Sequence, residues 1–335
     1  MKNLFIFSLV CCLLGCKKSP ENINFDKLPY ENLSDYGFFT GELKDLSAVE
    51  RLVEFTPVSP LFTDHAHKKR FVWLPEGSSA RIPEDPDAPF DFPDRSILIK
   101  HFYYPLSFKQ PEGDRRILET RLLIKNKGQW EAYAYLWNQE QTEATLKNIG
   151  ATLPVSYENE RGEKVSFNYV MPQKTQCRSC HNRDGEMQPL GTKGKQLAAE
   201  LPHWKSLGIL DKSQINGPAL VDPFDTQHTL ALRARSYLDV NCGHCHSKTG
   251  PASTSGLHYN LEEDRPFHLG VWKSPVAAGM GGGGFKFDIL PGKSAESIVT
   301  YRMNSTHPGV MMPELGRVTV HKEAVDLIAA WIDSL

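Results

Sequence analysis

The chain has 335 residues, 40% of them hydrophobic, with 38 basic and 40 acidic side chains and a formal net charge of −2. That length allows two or three domains. Near-neutrality, with no basic tract and no aromatic–basic interleaving, argues against a nucleic-acid partner.

In chain order, Lys2 precedes an apolar run from Leu4 to Leu14 broken only by Ser8. The run is shorter than the roughly 20 residues that span a bilayer and matches the apolar region of a signal peptide. It ends in Leu13-Leu14-Gly15-Cys16, similar to a bacterial lipobox. Residues 1–15 therefore read as a lipoprotein signal peptide, Cys16 as the lipidated residue and 16–34 as a polar tether. Lys17, where inner-membrane retention would call for aspartate, points to the outer membrane of a Gram-negative bacterium, facing the periplasm. No second run reaches spanning length, so the body is expected to be soluble and held through its lipid anchor only.

Residues 35–175 are expected to be rich in β-structure. Ser96–Tyr104, Arg116–Ile124 and Trp130–Trp137 read as strands, the last with period-two alternation. Lys125–Gly128 reads as a turn, and Asn159–Gly162 as the tip of a hairpin between 155–157 and 165–170. Antiparallel strands with short turns point to a sandwich-like domain. The Pro- and Asp-rich stretch 81–95 reads as a surface loop.

From 176 the pattern changes. Residues 176–225 hold Cys177-Arg178-Ser179-Cys180-His181, and 226–335 hold Cys242-Gly243-His244-Cys245-His246. Thr226–Asn241 carries apolar residues at helical spacing leading into the second motif. His321–Leu335 does the same, with Thr319 as its N-cap. A helix entering such a motif and another closing the domain are the arrangement of small class I cytochromes c. The expected fold class is thus α+β: an N-terminal antiparallel β-rich domain, sandwich-like, followed by an α-helical cytochrome c-like domain.

The chemistry rests on the cysteines. Beyond Cys11, Cys12 and Cys16, the remaining four all lie in Cys-x-x-Cys-His, the attachment signature of c-type haem. Two thiols at this spacing can form thioethers with the vinyl groups of one porphyrin, and the histidine that follows becomes the proximal iron ligand. Cys177, Cys180 and His181 would hold one haem c, and Cys242, Cys245 and His246 a second. Zinc can use paired Cys-x-x-Cys motifs, but 61 residues separate Cys180 from Cys242, and zinc gives no reason for a histidine after both pairs. A thioredoxin-like pair lacks a βαβ setting; structural disulfides are a further alternative in an oxidising compartment.

The sixth ligands decide between electron transfer and catalysis. Met312, in Met311-Met312-Pro313, is the nominee for the second haem, with Met311 and Met303 as neighbours and Met280 behind them. Met187, His203 and His228 are candidates for the first, beside an open position. His65 and His67 would share a face if their segment were a strand. Lys174, Arg178 and Arg183 could meet haem propionates. The run Gly281–Gly284 lacks the Gly-Lys-Ser/Thr of a phosphate loop.

The chain resembles a conserved hypothetical bacterial family of dihaem c-type cytochromes of lipoprotein type. The resemblance covers most of the mature chain. It is carried by Leu33–Phe39, Ser59–Asp64, Lys69–Trp73, Glu119–Leu123, both Cys-x-x-Cys-His motifs and Met311–Gly316. It implies two covalently bound haems and electron transfer, and names neither substrate nor partner. The expected function is electron transfer with a periplasmic or membrane redox protein. A peroxidase-like oxidoreductase with an open or switchable first haem is the alternative, and a zinc-binding module the third reading.

Overall fold

The structure, a computed structural model, describes residues 18–276 and 279–335; the signal segment and Cys16 lie outside them. Two short strands, β1 (Phe39–Thr40) and β2 (Ser47–Ala48), pair as a small ladder. The frame of the molecule is a six-stranded antiparallel meander. Its strands are β3 (Val53–Glu54), β4 (His67–Trp73), β5 (Ile97–Pro105), β6 (Arg115–Asn126), β7 (Gln129–Trp137) and β8 (Ala144–Leu146). Three of these lie where alternation and β-branched content predict them. Only Lys127 and Gly128, both at positive φ, join β6 to β7. That turn geometry matches the twist of the strands it connects. A separate hairpin, β9 (Ala151–Glu158) with β10 (Lys164–Met171), turns on Asn159, whose side chain accepts from the backbone N–H of Arg161 and Glu163.

Side chains alternate across the sheet, so each face has its own cover. One face buries Phe71, Trp73, Ile97, Ile99, Leu122, Ile124, Tyr133 and Tyr135 under the N-terminal segment. That segment begins earlier than expected. Ile23, Phe25, Leu28 and Tyr30, in the stretch read as a tether, pack on this core together with buried Leu33, Tyr36 and Phe38. Gly37 is required there: its φ is +68°, and a Cβ would come within 2.5 Å of the Lys18–Ser19 backbone.

The opposite face is covered at both ends and hollow between them. At one end Phe102, Tyr104, Leu118 and Ala134 pack under the β9–β10 hairpin through Val155, Tyr157, Tyr169 and Met171. At the other, Val72, Leu74, Leu98 and Trp130 pack against Phe90, Phe92, Leu201, Trp204 and Leu210. In the gap sits the first cysteine motif, on α1 (Lys174–Cys180), followed by the tight hairpin β11 (Asn182–Arg183)–β12 (Glu186–Met187) and by α2 (Leu201–Ser206).

The remainder overturns the expected fold class. The two helices read from periodicity exist as α3 (Leu230–Leu238), capped by the Thr229 hydroxyl on Leu232 N–H, and α5 (Lys322–Asp333), which follows His321 rather than Thr319. They share a core with Tyr259, Leu269, Ile289 and Met303. Between them, however, the only α-helix among the described residues is α4 (Ile298–Met303); the rest is turns, bends and short 3-10 segments. The protein is predominantly β-structure built on one antiparallel sheet, and its C-terminal part is not an α-helical cytochrome c-like domain. Periodicity identifies a helix; it does not say whether the 83 residues between two helices are helical too.

Candidate cofactor site

Cys177 and Cys180 lie one turn apart on α1. The helix start is held by Gln173, whose backbone N–H donates to the Gln176 side chain at 3.0 Å. His181 terminates the helix, its N–H bonded to Cys177 O. The β11–β12 hairpin then folds back, so that Gln188 N–H reaches His181 O at 2.9 Å and the His181 ring Nδ1 lies 2.8 Å from Gln188 O. A carbonyl can only accept, so Nδ1 carries the proton and Nε2 is left with its lone pair. Burial pushes the His181 pKa down to about 4, which keeps the ring neutral. A neutral imidazole with its second nitrogen tied to an oxygen is the state a metal-ligating histidine adopts.

The second motif repeats this on another scaffold. The chain leaves α3 through a wide π-type turn, Asp239–Gly243. His246 N–H bonds Cys242 O, and its ring Nδ1 lies 3.0 Å from Ser255 Oγ. Ser255 Oγ donates onward to Ala252 O, so the hydroxyl accepts from the ring. Burial holds the His246 pKa down at about 4 as well. All four cysteines are free thiols. Burial pushes Cys242 up to about 12.

Although 60 residues separate them, the two motifs touch. Ligand atoms of Cys180, His244 and Cys245 all lie within 4.8 Å of one another, and Cys245 Sγ is 3.9 Å from Ser179 O. The hydrogen bond between the two thiols holds Cys180 well below, and Cys245 well above, the usual thiol range. These three groups could hold a zinc ion. That reading uses one cysteine from each motif and leaves Cys177 and Cys242 out, whereas paired-motif zinc sites take both cysteines of each pair.

A cavity opens between α1 and the hollow face of the sheet, with about 1600 Å³ of atom-free space, its mouth included. Cys177, Cys180 and His181 line it, and His244 reaches it from the second motif. Phe55, Phe62, Leu98 and Phe102 give it an apolar wall. Arg70, Lys100 and Arg121 interrupt that wall on adjacent strands. Nothing in the sequence nominated these three. The available signal was Lys100, a charge inside an otherwise apolar strand.

The Met-Pro loop contributes Pro313, Leu315 and Gly316 to the same cavity, with Met312 half-buried beside them. Arg317 Nη2 donates to the carbonyls of Ser305 (2.8 Å) and Met312 (2.9 Å). From the sheet side, Asp64 accepts Val318 N–H (2.8 Å), Thr319 N–H (2.7 Å) and Thr319 Oγ–H (2.7 Å). Asp64→Ala should cost about 3 kcal/mol by leaving these half-buried donors without their acceptor. Urea unfolding would measure the loss, and limited proteolysis should newly cut near 313–319. A cost below about 1 kcal/mol would mean water replaces the carboxylate.

The other nominated residues lie elsewhere. Met187 packs against the Trp204 cluster, and His203 is exposed on α2; neither lines the cavity. His228 and Met280 are exposed, whereas Met303 and Met311 are buried. His65 meets Phe62 and His321 edge-on, but His67 lies against Tyr103 and Phe108, so the two do not converge. Arg178 donates to Gly185 O, Arg183 pairs with Asp85, and Lys174 sits over the Tyr133 ring. No family model, no curated protein and no solved structure matches the chain.

Proposed function

We propose that the chain is a dihaem c-type cytochrome that passes electrons to and from a redox protein. The observation that carries this reading is the chamber beside the first motif: both thiols and the histidine of one Cys-x-x-Cys-His line a single cavity with an apolar wall and a cationic side. Three further features support it. Both motif histidines have Nδ1 engaged by an oxygen and a neutral ring. The cavity has a cationic side suited to a porphyrin's carboxylates. The two motifs lie close enough for electron exchange between their cofactors.

In this reading Cys177, Cys180 and His181 hold one haem and Cys242, Cys245 and His246 the other, each supplying one-electron redox chemistry. Gln188 O and Ser255 Oγ orient the histidine rings and raise their basicity. The apolar wall excludes water, and Met312 is the proposed sulfur ligand of the second site. Export and lipidation at Cys16, on the periplasmic side of an outer membrane, belong to the same proposal, as does membership of the dihaem family that the sequence resembles.

A second reading has a specific observation in its favour. Neither Met187 nor His203 lines the first cavity, which suits a first haem with an open position and peroxidase-like turnover.

The deciding experiment is covalent haem staining with pyridine haemochrome quantitation, after expression with the c-type maturation machinery. Two equivalents per chain are expected, falling to one in the Cys177→Ser/Cys180→Ser variant. Zinc without covalent haem in the purified chain would sink the reading. Peroxide turnover would select the enzyme over the carrier, and loss of the far-red sulfur–iron band in Met312→Ala would assign the methionine.

A further inference from the structure

Arg70, Lys100 and Arg121 are direct cross-strand partners: Arg70 pairs with Lys100 across β4–β5, and Lys100 with Arg121 across β5–β6. The three cations therefore form a single rung on the hollow face of the sheet, with Lys68 one step along the same face of β4. Like charges placed directly opposite one another destabilise a sheet, and taking them out of water costs more. Only Arg121 has a carboxylate, Glu119, which its Nε reaches at 2.9 Å. Among the described residues, Lys68, Arg70 and Lys100 have no acidic side chain within ion-pair distance. Lys68 donates to Leu61 O at 2.9 Å. The Phe102 ring lies 4.7 Å from the Lys100 ammonium and 4.4 Å from the Arg121 guanidinium. A ring shared in this way offers each cation far less than a carboxylate would. Burial, and then the neighbouring Arg70 and Lys68 charges, push the Lys100 ammonium well below its usual range.

A row of like charges facing an apolar chamber is relieved by something negative that enters the chamber, and otherwise only by the Lys100 ammonium giving up its proton. We propose that the Arg70–Lys100–Arg121 rung is an anion-binding site that takes a carboxylate or small oxyanion delivered into the cavity. Two sources share this chemistry: the propionates of a haem attached at Cys177 and Cys180, and a free small anion bound beside that haem. The assignment to propionates rests on the dihaem reading; the anion site itself does not.

The test uses the purified full-length chain, with Lys100→Met and Arg70→Met as variants and Lys100→Arg as the charge-preserving control. Acetate and inorganic phosphate are titrated calorimetrically, and resonance Raman spectra and reduction potentials are recorded for any haem present. A free-anion site gives saturable binding that weakens about tenfold or more in Lys100→Met and survives in Lys100→Arg. A propionate site gives no such binding in the haem-bearing chain. Instead, Lys100→Met and Arg70→Met move the propionate bands of one haem and lower its potential, because a cation that disfavoured the oxidised state has gone. If neither anion binds, and bands and potentials are unchanged in both methionine variants, the rung is not an anion site. A stain negative for haem ends the dihaem reading, and the anion titration on that chain then decides the rung alone.

Discussion

Lys195→Met should destabilise the protein by about 3–5 kcal/mol, the usual cost of breaking a buried ion-pair network by removing one partner. Lys195 is fully buried, and its ammonium touches Asp87, is 2.5 Å from Asp239 and 3.0 Å from Glu262. Burial alone would lower its pKa; the Asp239 and Asp87 charges outweigh this and raise it above the usual lysine value. This contribution is therefore fully present at neutral pH and is lost only in strong alkali, as pH rises through the raised pKa. Methionine matches the length of the stem but strands three carboxylates around an apolar end. The nearest other ammonium, Lys193, is 3.9 Å from Asp87. Asp239 suffers most. It is buried, one of its oxygens already lacks a partner, and it also accepts Leu261 N–H. It stands three residues before Cys242, so losing the network loosens the segment that presents the second motif. Denaturant midpoints of Lys195→Met and of Lys195→Met/Asp239→Leu measure the effect. The double variant should recover much of the loss, because it removes the stranded charge as well as its partner. Equal losses in the two variants would show that packing, not charge, is what Lys195 supplies.

The second large effect is acid lability of the sheet. His101 is fully buried between Phe39 and Phe71, and burial pushes its pKa down to about 3, with the Arg115 and Lys69 charges acting in the same direction. Its Nδ1 lies 2.7 Å from Thr120 Oγ, which also accepts the Trp137 indole N–H; its Nε2 has no partner among the described residues. A second ring proton would therefore enter an apolar core with nothing to accept it. The folded pKa is depressed below the unfolded value, so the neutral ring contributes its full stability above about pH 6.5, on the order of 4 kcal/mol. That contribution is lost as pH falls towards 3. His101→Gln cannot charge and should flatten this part of the decline. Unfolding free energies at pH 7, 5 and 4 for both proteins test it; parallel curves would place the acid sensitivity at other histidines. Burial also depresses His321, to about 4, so the difference between the two curves, not the wild-type slope, carries the inference.

How much of this was legible depended on the interaction concerned. β5, β6 and β7 were readable because each is a run of aliphatic and aromatic residues, β7 with period-two alternation, and a two-residue turn joins the last two. β4 was not, because three consecutive charges, Lys68, Lys69 and Arg70, hide any alternation in its first half. Arg70 is a buried charge facing a cavity whose far wall comes from residues 172 to 317, and half-buried Lys68 lies one step along the same face of β4. The N-terminal cover escaped because Ile23, Phe25, Leu28 and Tyr30 follow neither a period of 2 nor one of 3.6; short 3-10 turns set their directions. The thiol pair Cys180–Cys245 was invisible because it depends on how two loops dock. The motifs themselves were fully legible, since Cys-x-x-Cys-His is defined by local spacing.

Asp64 and its partners also bear on the order of events as the chain is made. The carboxylate waits on donors at 318 and 319, some 250 positions downstream, and the loop they secure supplies Pro313, Leu315 and Gly316 to the cavity wall. Synthesis proceeds from the N-terminus at about 5–20 residues per second. Both cysteine motifs are therefore made several seconds before the loop that closes over the first of them. In the dihaem reading proposed above, a group attached at Cys177 and Cys180 would have to enter before residues 313–317 cover that side. The latch is thus the last part of the cavity wall to be made.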